Sequence, residues 1–124
     1  MPRYAVWFDI PVHDLDRAIA FYSAVLAVEV KRESHPSFTI GLLPHGDDDV
    51  AGCLFVSGDT KPSAEGILLY FNANGRLEEA VAAAESHGGR LLEPAHPIGS
   101  FGFRAVVLDS EGNRIALHSE RLVA

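Results

Sequence analysis

Cysteine is nearly absent: Cys53 is the only one in 124 residues. An internal disulfide is therefore excluded, and so is a zinc cluster built on thiolates. Positive charge is scarce too. Ten Lys and Arg stand against seventeen Asp and Glu, for a formal charge of −7, which argues against a nucleic-acid partner, since such a partner favours a basic face. No apolar run reaches the ~18 residues that span a bilayer, so no membrane partner is expected. Met1-Pro2-Arg3 leads straight into strand-like sequence without the apolar stretch of a signal peptide. A cytoplasmic location is the resulting expectation. A Gly-rich phosphate loop, a Gly-x-Ser-x-Gly elbow and a paired His-x-x-x-His helix are all missing.

What the chain does have is apolar content, 48% of its residues, enough for one domain with a real core. Cys53 lies inside the apolar run Ala51-Gly52-Cys53-Leu54-Phe55-Val56 and reads as a small buried hydrophobe. A nucleophilic thiol would need a nearby base and a low pKa, and no neighbouring residue type signals either. The run Asp47-Asp48-Asp49 reads as a solvated turn.

A pattern recurs at an offset of 62 residues. Leu15, Ala18, Ile19 and Tyr22 reappear as Leu77, Ala80, Val81 and Ala84, each set at the i, i+3, i+4, i+7 spacing of an amphipathic helix. A strand precedes each helix, Tyr4–Val12 and Gly66–Asn72, and short strands follow. The acidic turn 47–49 falls on Asp109-Ser110-Glu111, and Gly52–Ser57 falls on Arg114–Ser119. Asp14 is placed to cap the first helix, with Asp16 in its first turn. Asn74-Gly75 opens the second helix region and Gly88-Gly89 ends it. Pro94 to Gly102 reads as a loop. The expected fold is α+β: two tandem β-α-β-β-β modules, about 1–58 and 66–124, joined by a linker 59–65, with curved sheets enclosing a pocket.

Two stretches carry a family resemblance. Trp7-Phe8-Asp9-Ile10-Pro11-Val12-His13-Asp14-Leu15-Asp16-Arg17-Ala18-Ile19-Ala20-Phe21-Tyr22 resembles an opening strand and D-L-x-R-A-x-x-F-Y helix. Phe101–Ala105 through Asp109-Ser110-Glu111-Gly112-Asn113-Arg114-Ile115-Ala116-Leu117-His118 resembles a closing hairpin. With the repeat, they make the chain similar to the glyoxalase/bleomycin-resistance/dioxygenase (vicinal oxygen chelate) superfamily. That resemblance implies paired β-α-β-β-β modules and, in the metal enzymes, four ligands on the first and last strand of each module that hold a divalent ion against substrate oxygens. Here the implied positions are Trp7, a residue within Gly52–Leu54 (Leu54 by the internal offset), a residue between Gly66 and Leu69, and Ala116. None matches His, Glu or Asp. No metal is expected, and a divalent cation at a displaced site is the alternative.

Strand alternation sets Trp7 with Asp9, and Arg114 with Ala116 and His118. Asp9 and His118 each lie two residues beyond an implied ligand position. Two readings follow: an acid/base or displaced metal pair, or a structural pair that orients a ligand. Trp7 and Phe71 would add aromatic wall, with Phe71 rather than Tyr70 inward by the offset. Arg104, alone in an apolar strand, would clamp a carboxylate or phosphate or snorkel from a half-exposed strand. His13, His35, His45, His87 and His96 are scattered and read as surface. Three functions remain open: a metal-independent binder of a small, largely apolar or aromatic molecule, with a sequestration or resistance role; a glyoxalase- or dioxygenase-like enzyme (lyase, isomerase or oxidoreductase) around Asp9 and His118; and an interaction domain without a ligand. The resemblance also implies a homodimer.

Overall fold

The computed structural model describes residues 4–122. The first module runs β1 (Trp7–Pro11), α1 (Leu15–Leu26), β2 (Lys31–His35), β3 (Phe38–Leu42) and β4 (Ala51–Phe55). The second runs β5 (Leu69–Asn72), α2 (Leu77–Ser86), β6 (Arg90–Pro97), β7 (Phe103–Leu108) and β8 (Arg114–Ser119), with a 3-10 turn at Gly99–Phe101. The first sheet has the order β1-β4-β3-β2 and the second β5-β8-β7-β6. In each, the first and last strands of the module pair in parallel and the remaining pairs are antiparallel. Both modules are therefore β-α-β-β-β, and the fold is α+β. Among the described residues no helix is long and apolar enough to cross a membrane.

α1 starts where the sequence places it. The Asp14 side chain accepts the Arg17 N–H at 3.1 Å, satisfying one of the donors a helix start leaves open. Leu15, Ala18, Phe21, Tyr22 and Val25 are its buried face. α2 buries Leu77, Ala80 and Ala84, but Arg76 at its start makes no side-chain cap bond. Asn74 instead accepts the Glu120 N–H and the Ser119 hydroxyl, so it ties the chain before α2 to the end of β8. The stretch expected as a loop from Pro94 is half strand. β6 continues to Pro97 across two register shifts. It is an edge strand, where a proline lacking its N–H is tolerated.

One core serves both modules. Ile10, Val12 and Leu54 of the first sheet and Phe71, Ala105, Val107, Ile115 and Leu117 of the second pack with the helices in a single cluster. α1 lies against α2. The Phe71 ring meets Phe8 edge-on at 6.0 Å and Tyr22 at 5.5 Å, an arrangement aromatic pairs favour. Gly52 is required here: a Cβ would sit 2.3–2.6 Å from the Phe8 ring.

The turn between β7 and β8 locks the modules together. Asp109 is 2% exposed. It accepts the Tyr22 hydroxyl at 2.5 Å, the backbone N–H groups of Glu111 and Asn113, and the Asn113 amide. Burial pushes the Tyr22 phenol well above its ordinary pKa, and the Asp109 charge and hydrogen bond add to that. Asn113 also donates to the Pro11 carbonyl at 2.8 Å.

Because the helices of the two modules face each other, the opposite face of each sheet carries no helix. Trp7 on the first sheet is 46% exposed and Tyr70 on the second 44%. Within one chain the sheets do not close on each other, and the enclosed pocket expected from the sequence is replaced by two open faces.

Candidate functional site

Strand parity decides which side chains reach the open faces. On β1, Phe8 and Ile10 pack in the core, leaving Trp7 and Asp9 on the open side together with Cys53 and Phe55 of β4. The indole N–H of Trp7 donates to Asp9 Oδ1 at 2.7 Å and the Cys53 thiol donates to the same oxygen at 3.3 Å. Burial pushes that thiol up to about 12, and the hydrogen bond and charge of Asp9 reinforce the shift. Cys53 is thus a protonated donor, far from the low pKa of a nucleophile. Around this trio, Phe38, Ile40, Phe55 and Val56, with Ser37 and Thr39, complete a hollow of about 410 Å³. A second groove, about 310 Å³, runs between the modules, and Asp9 and Arg114 both line it.

On the second sheet the open side presents Tyr70, Asn72, Arg104, Arg114 and His118, with Glu93 and His96 added from β6 by register. Arg104 is held at three points: Nε donates to His96 Nε2 at 3.1 Å, Nη1 to the Tyr70 hydroxyl at 2.5 Å, and Nη2 to Glu93 at 3.5 Å. Arg114 donates to the other Glu93 oxygen at 3.3 Å. Arg104 is therefore on the open face, as a pocket role requires, and the guanidinium also lies 5.9 Å from the Tyr70 ring centroid. Expected site residues Arg104 and Arg114 are brought together by Glu93. His118 Nε2 contacts the Phe101 carbonyl at 2.5 Å and its ring meets Tyr70 at 6.5 Å.

Four expectations need correction. Within one chain Asp9 and His118 do not pair: they belong to different sheets, Asp9 bonding to Trp7 and Cys53 and His118 to the Phe101 carbonyl of the 3-10 turn. Phe71 does not face a pocket; it is 8% exposed within the core, and Tyr70 takes the open side. Leu54 points to the helices, and Cys53 holds the open position on β4. Ala116 is fully buried between its register neighbours Tyr70 and Val106, so it offers no surface to a ligand. Glu93, His96, Tyr70 and Cys53 were the residues missed. For Glu93 and His96, the only sequence signal is their polar type in the stretch that precedes the Arg104 strand.

The hydrogen bond from Val12 N–H to the Phe55 carbonyl has its counterpart in the bond from Ala73 to His118. Equivalent positions on the first strands are thus 61 apart, and on the last strands 63 apart. The four positions implied for metal ligands become Trp7, Cys53, Leu68 and Ala116. An indole, two hydrocarbons and one protonated thiol do not match the oxygen and nitrogen donors that a hard or borderline cation requires. Among the described residues, no three His, Cys, Asp or Glu side chains gather as a metal site would need.

Comparison with known proteins gives a consistent assignment. The sequence model described as Glyoxalase/Bleomycin resistance protein/Dioxygenase superfamily matches residues 4–117. Among solved structures, the chain is similar to a glyoxalase/bleomycin resistance protein from Albidiferax ferrireducens T118, with TM-score 0.73, 21% identity, and coverage of 94% of this chain and 98% of that one. It is also similar to a glyoxalase-related enzyme from Fulvimarina pelagi, with TM-score 0.71, 16% identity, and coverage of 95% and 88%. The trypanothione-dependent glyoxalase I of Leishmania major gives TM-score 0.65 at 25% identity, covering 96% and 88%. No curated protein matches the chain.

Proposed function

Because the chain belongs to the Glyoxalase/Bleomycin resistance protein/Dioxygenase superfamily, we propose that it is a metal-independent member that binds a small, largely apolar or aromatic molecule on the open face of its first sheet. The observation that carries this reading is the hollow of about 410 Å³ lined by Trp7, Phe38, Ile40, Phe55 and Val56, with Asp9, Cys53, Ser37 and Thr39 as its polar groups. It has the make-up of a small-molecule site, mostly apolar wall with a few polar groups that fix orientation. Trp7 is half-exposed yet held in place by Asp9, a rigid aromatic surface for stacking. The donor set does not fit the superfamily's metal, so no step runs through one.

The function is completed by a second copy of the chain. Trp7 and Phe38 on one open face, and Tyr70 and Phe101 on the side of the other, are large aromatics left in water. A homodimer that sets the first sheet of one chain against the second sheet of its partner would cover them and turn the hollow into an enclosed site. The enzymatic alternative, a lyase, isomerase or oxidoreductase around Asp9 and His118, would need the same dimer, because within one chain the two residues lie on different sheets.

Trp7 is the only tryptophan, so its emission reports on the hollow directly. Titration with 4-nitrobenzamide, a neutral aromatic quencher, is expected to saturate, and Phe38→Ala is expected to weaken that binding. Sedimentation of the same samples is expected to give a two-chain mass. Linear, non-saturating quenching identical in wild type and Phe38→Ala would overturn the binding reading, and a one-chain mass at all concentrations would overturn the dimer.

A further inference from the structure

We propose that the ligand carries a carboxylate, received in place of Glu93 by Arg104 and Arg114 on the second sheet that the partner copy sets over the hollow. This rests on the binding reading above and assigns the chemical class of the ligand. Two guanidiniums share one carboxylate there, a local excess of positive charge in a protein of net charge −7. Glu93 holds them weakly. Its bonds are 3.5 and 3.3 Å, longer than the roughly 2.7–2.9 Å of a strong charge-assisted pair, and its side chain is 40% exposed. Such a pair stabilises little and exchanges readily for a better-placed anion.

The rest of the cluster is built to hold Arg104 still. His96 Nδ1 lies 2.8 Å from the Pro94 carbonyl, to which it donates, leaving Nε2 to accept from Arg104. Tyr70 accepts from Nη1, and its own proton has no acceptor among the described residues. Arg104 thus uses three of its five donors and Arg114 one. The unused N–H groups and the Tyr70 hydroxyl sit on one open face. A flat fork with fixed orientation matches the two oxygens of a carboxylate. Glu93 already shows that a carboxylate fits between these two arginines.

The test uses matched probes on the full chain: 4-nitrobenzoate and 4-nitrobenzamide, of the same size and differing in charge. Binding is followed by Trp7 quenching and by calorimetry. The benzoate is expected to bind at least tenfold tighter than the amide. Arg104→Gln is expected to bring the ratio of the two affinities to about one. Glu93→Gln is expected to tighten the benzoate several-fold without tightening the amide, which a purely structural ion pair would not do. Equal affinity of the two probes for the wild type would overturn the carboxylate assignment and leave the apolar binding reading standing. Weaker benzoate binding by Glu93→Gln would overturn the exchange with Glu93. Failure of both probes to bind would overturn this inference together with the reading beneath it.

Discussion

Replacing Glu111 by Gln tests whether the turn between β7 and β8 clamps the start of α1. Glu111 is 6% exposed. One of its oxygens accepts the backbone N–H groups of His13 and Asp14, at 2.9 Å each, and Arg17 Nη2 at 2.9 Å. The other accepts Arg17 Nε and the Ser110 hydroxyl, both at 2.7 Å. Burial by itself raises the carboxyl's pKa. The hydrogen bonds from Arg17, Ser110, Asp14 and His13 together outweigh it and hold the group from 4.5 down to about 2. The folded value lies below the unfolded one, so the stabilisation is complete above the unfolded value and is lost as pH falls through 4.5 toward 2. The shift corresponds to about 3 kcal/mol. Glu111→Gln keeps the shape and one acceptor but removes the charge facing the Arg17 fork. The cost at pH 7 is expected to be about 2–3 kcal/mol, part being recovered because Arg17 is half-exposed and water can solvate it. Urea unfolding of both proteins at pH 7, 5, 4 and 3, at fixed concentration, measures it. The gap should be level between pH 7 and 5 and fall below half its neutral value by pH 3. A gap that stays level down to pH 3 would show that shape, not charge, is what the turn supplies. A gap under about 1 kcal/mol at neutral pH would refute the clamp itself.

Two further outcomes follow from local geometry. Ala27 ends α1 with φ 55°, a left-handed conformation that costs a residue bearing Cβ roughly 1 kcal/mol. Ala27→Gly should therefore raise the unfolding free energy by about 0.5–1 kcal/mol in urea, and any loss of stability contradicts the strain argument. Cys53, with its thiol pushed up to about 12, should react with an aromatic disulfide reagent at pH 8 about a thousandfold more slowly when folded than in urea, because so little thiolate is present; equal rates would contradict the buried, Asp9-bonded thiol.

The helices were legible because their signal is local and redundant. Leu15, Ala18 and Tyr22 recur as Leu77, Ala80 and Ala84 at one offset, and all six are buried in the structure. The cap at Asp14 follows the same local logic. The arrangement of four strands and one helix per module was legible from the order of these patterns, and so was the pairing of Trp7 with Asp9 on one face. Residues joined across strands were not. Glu93 meets Arg104 and Arg114 only through the ladders of β6 with β7 and β7 with β8, and register shifts in β6 hide which of its side chains point outward.

The failure at Phe71 and Leu54 has one cause, and it changes the site. Three residues separate β1 from α1 and four separate β5 from α2. A repeat measured on the helices is therefore off by one residue on the first strand, and by one in the opposite direction on the last. In a helix a slip of one residue turns a side chain by about 100°. In a strand it moves the side chain to the other face. Carrying the helix offset onto the strands thus sent Leu54 and Phe71 to the open side, when the hydrogen bonds from Val12 and Ala73 put Cys53 and Tyr70 there. The corrected parity changes the chemistry. In place of two hydrocarbons, the open faces gain a thiol bonded to Asp9 and a phenol bonded to Arg104. Each sheet then carries an aromatic side chain held by a charged one, Trp7 by Asp9 and Tyr70 by Arg104. The first site is acidic and the second basic, so two copies of the chain set first sheet to second would meet with opposite charge.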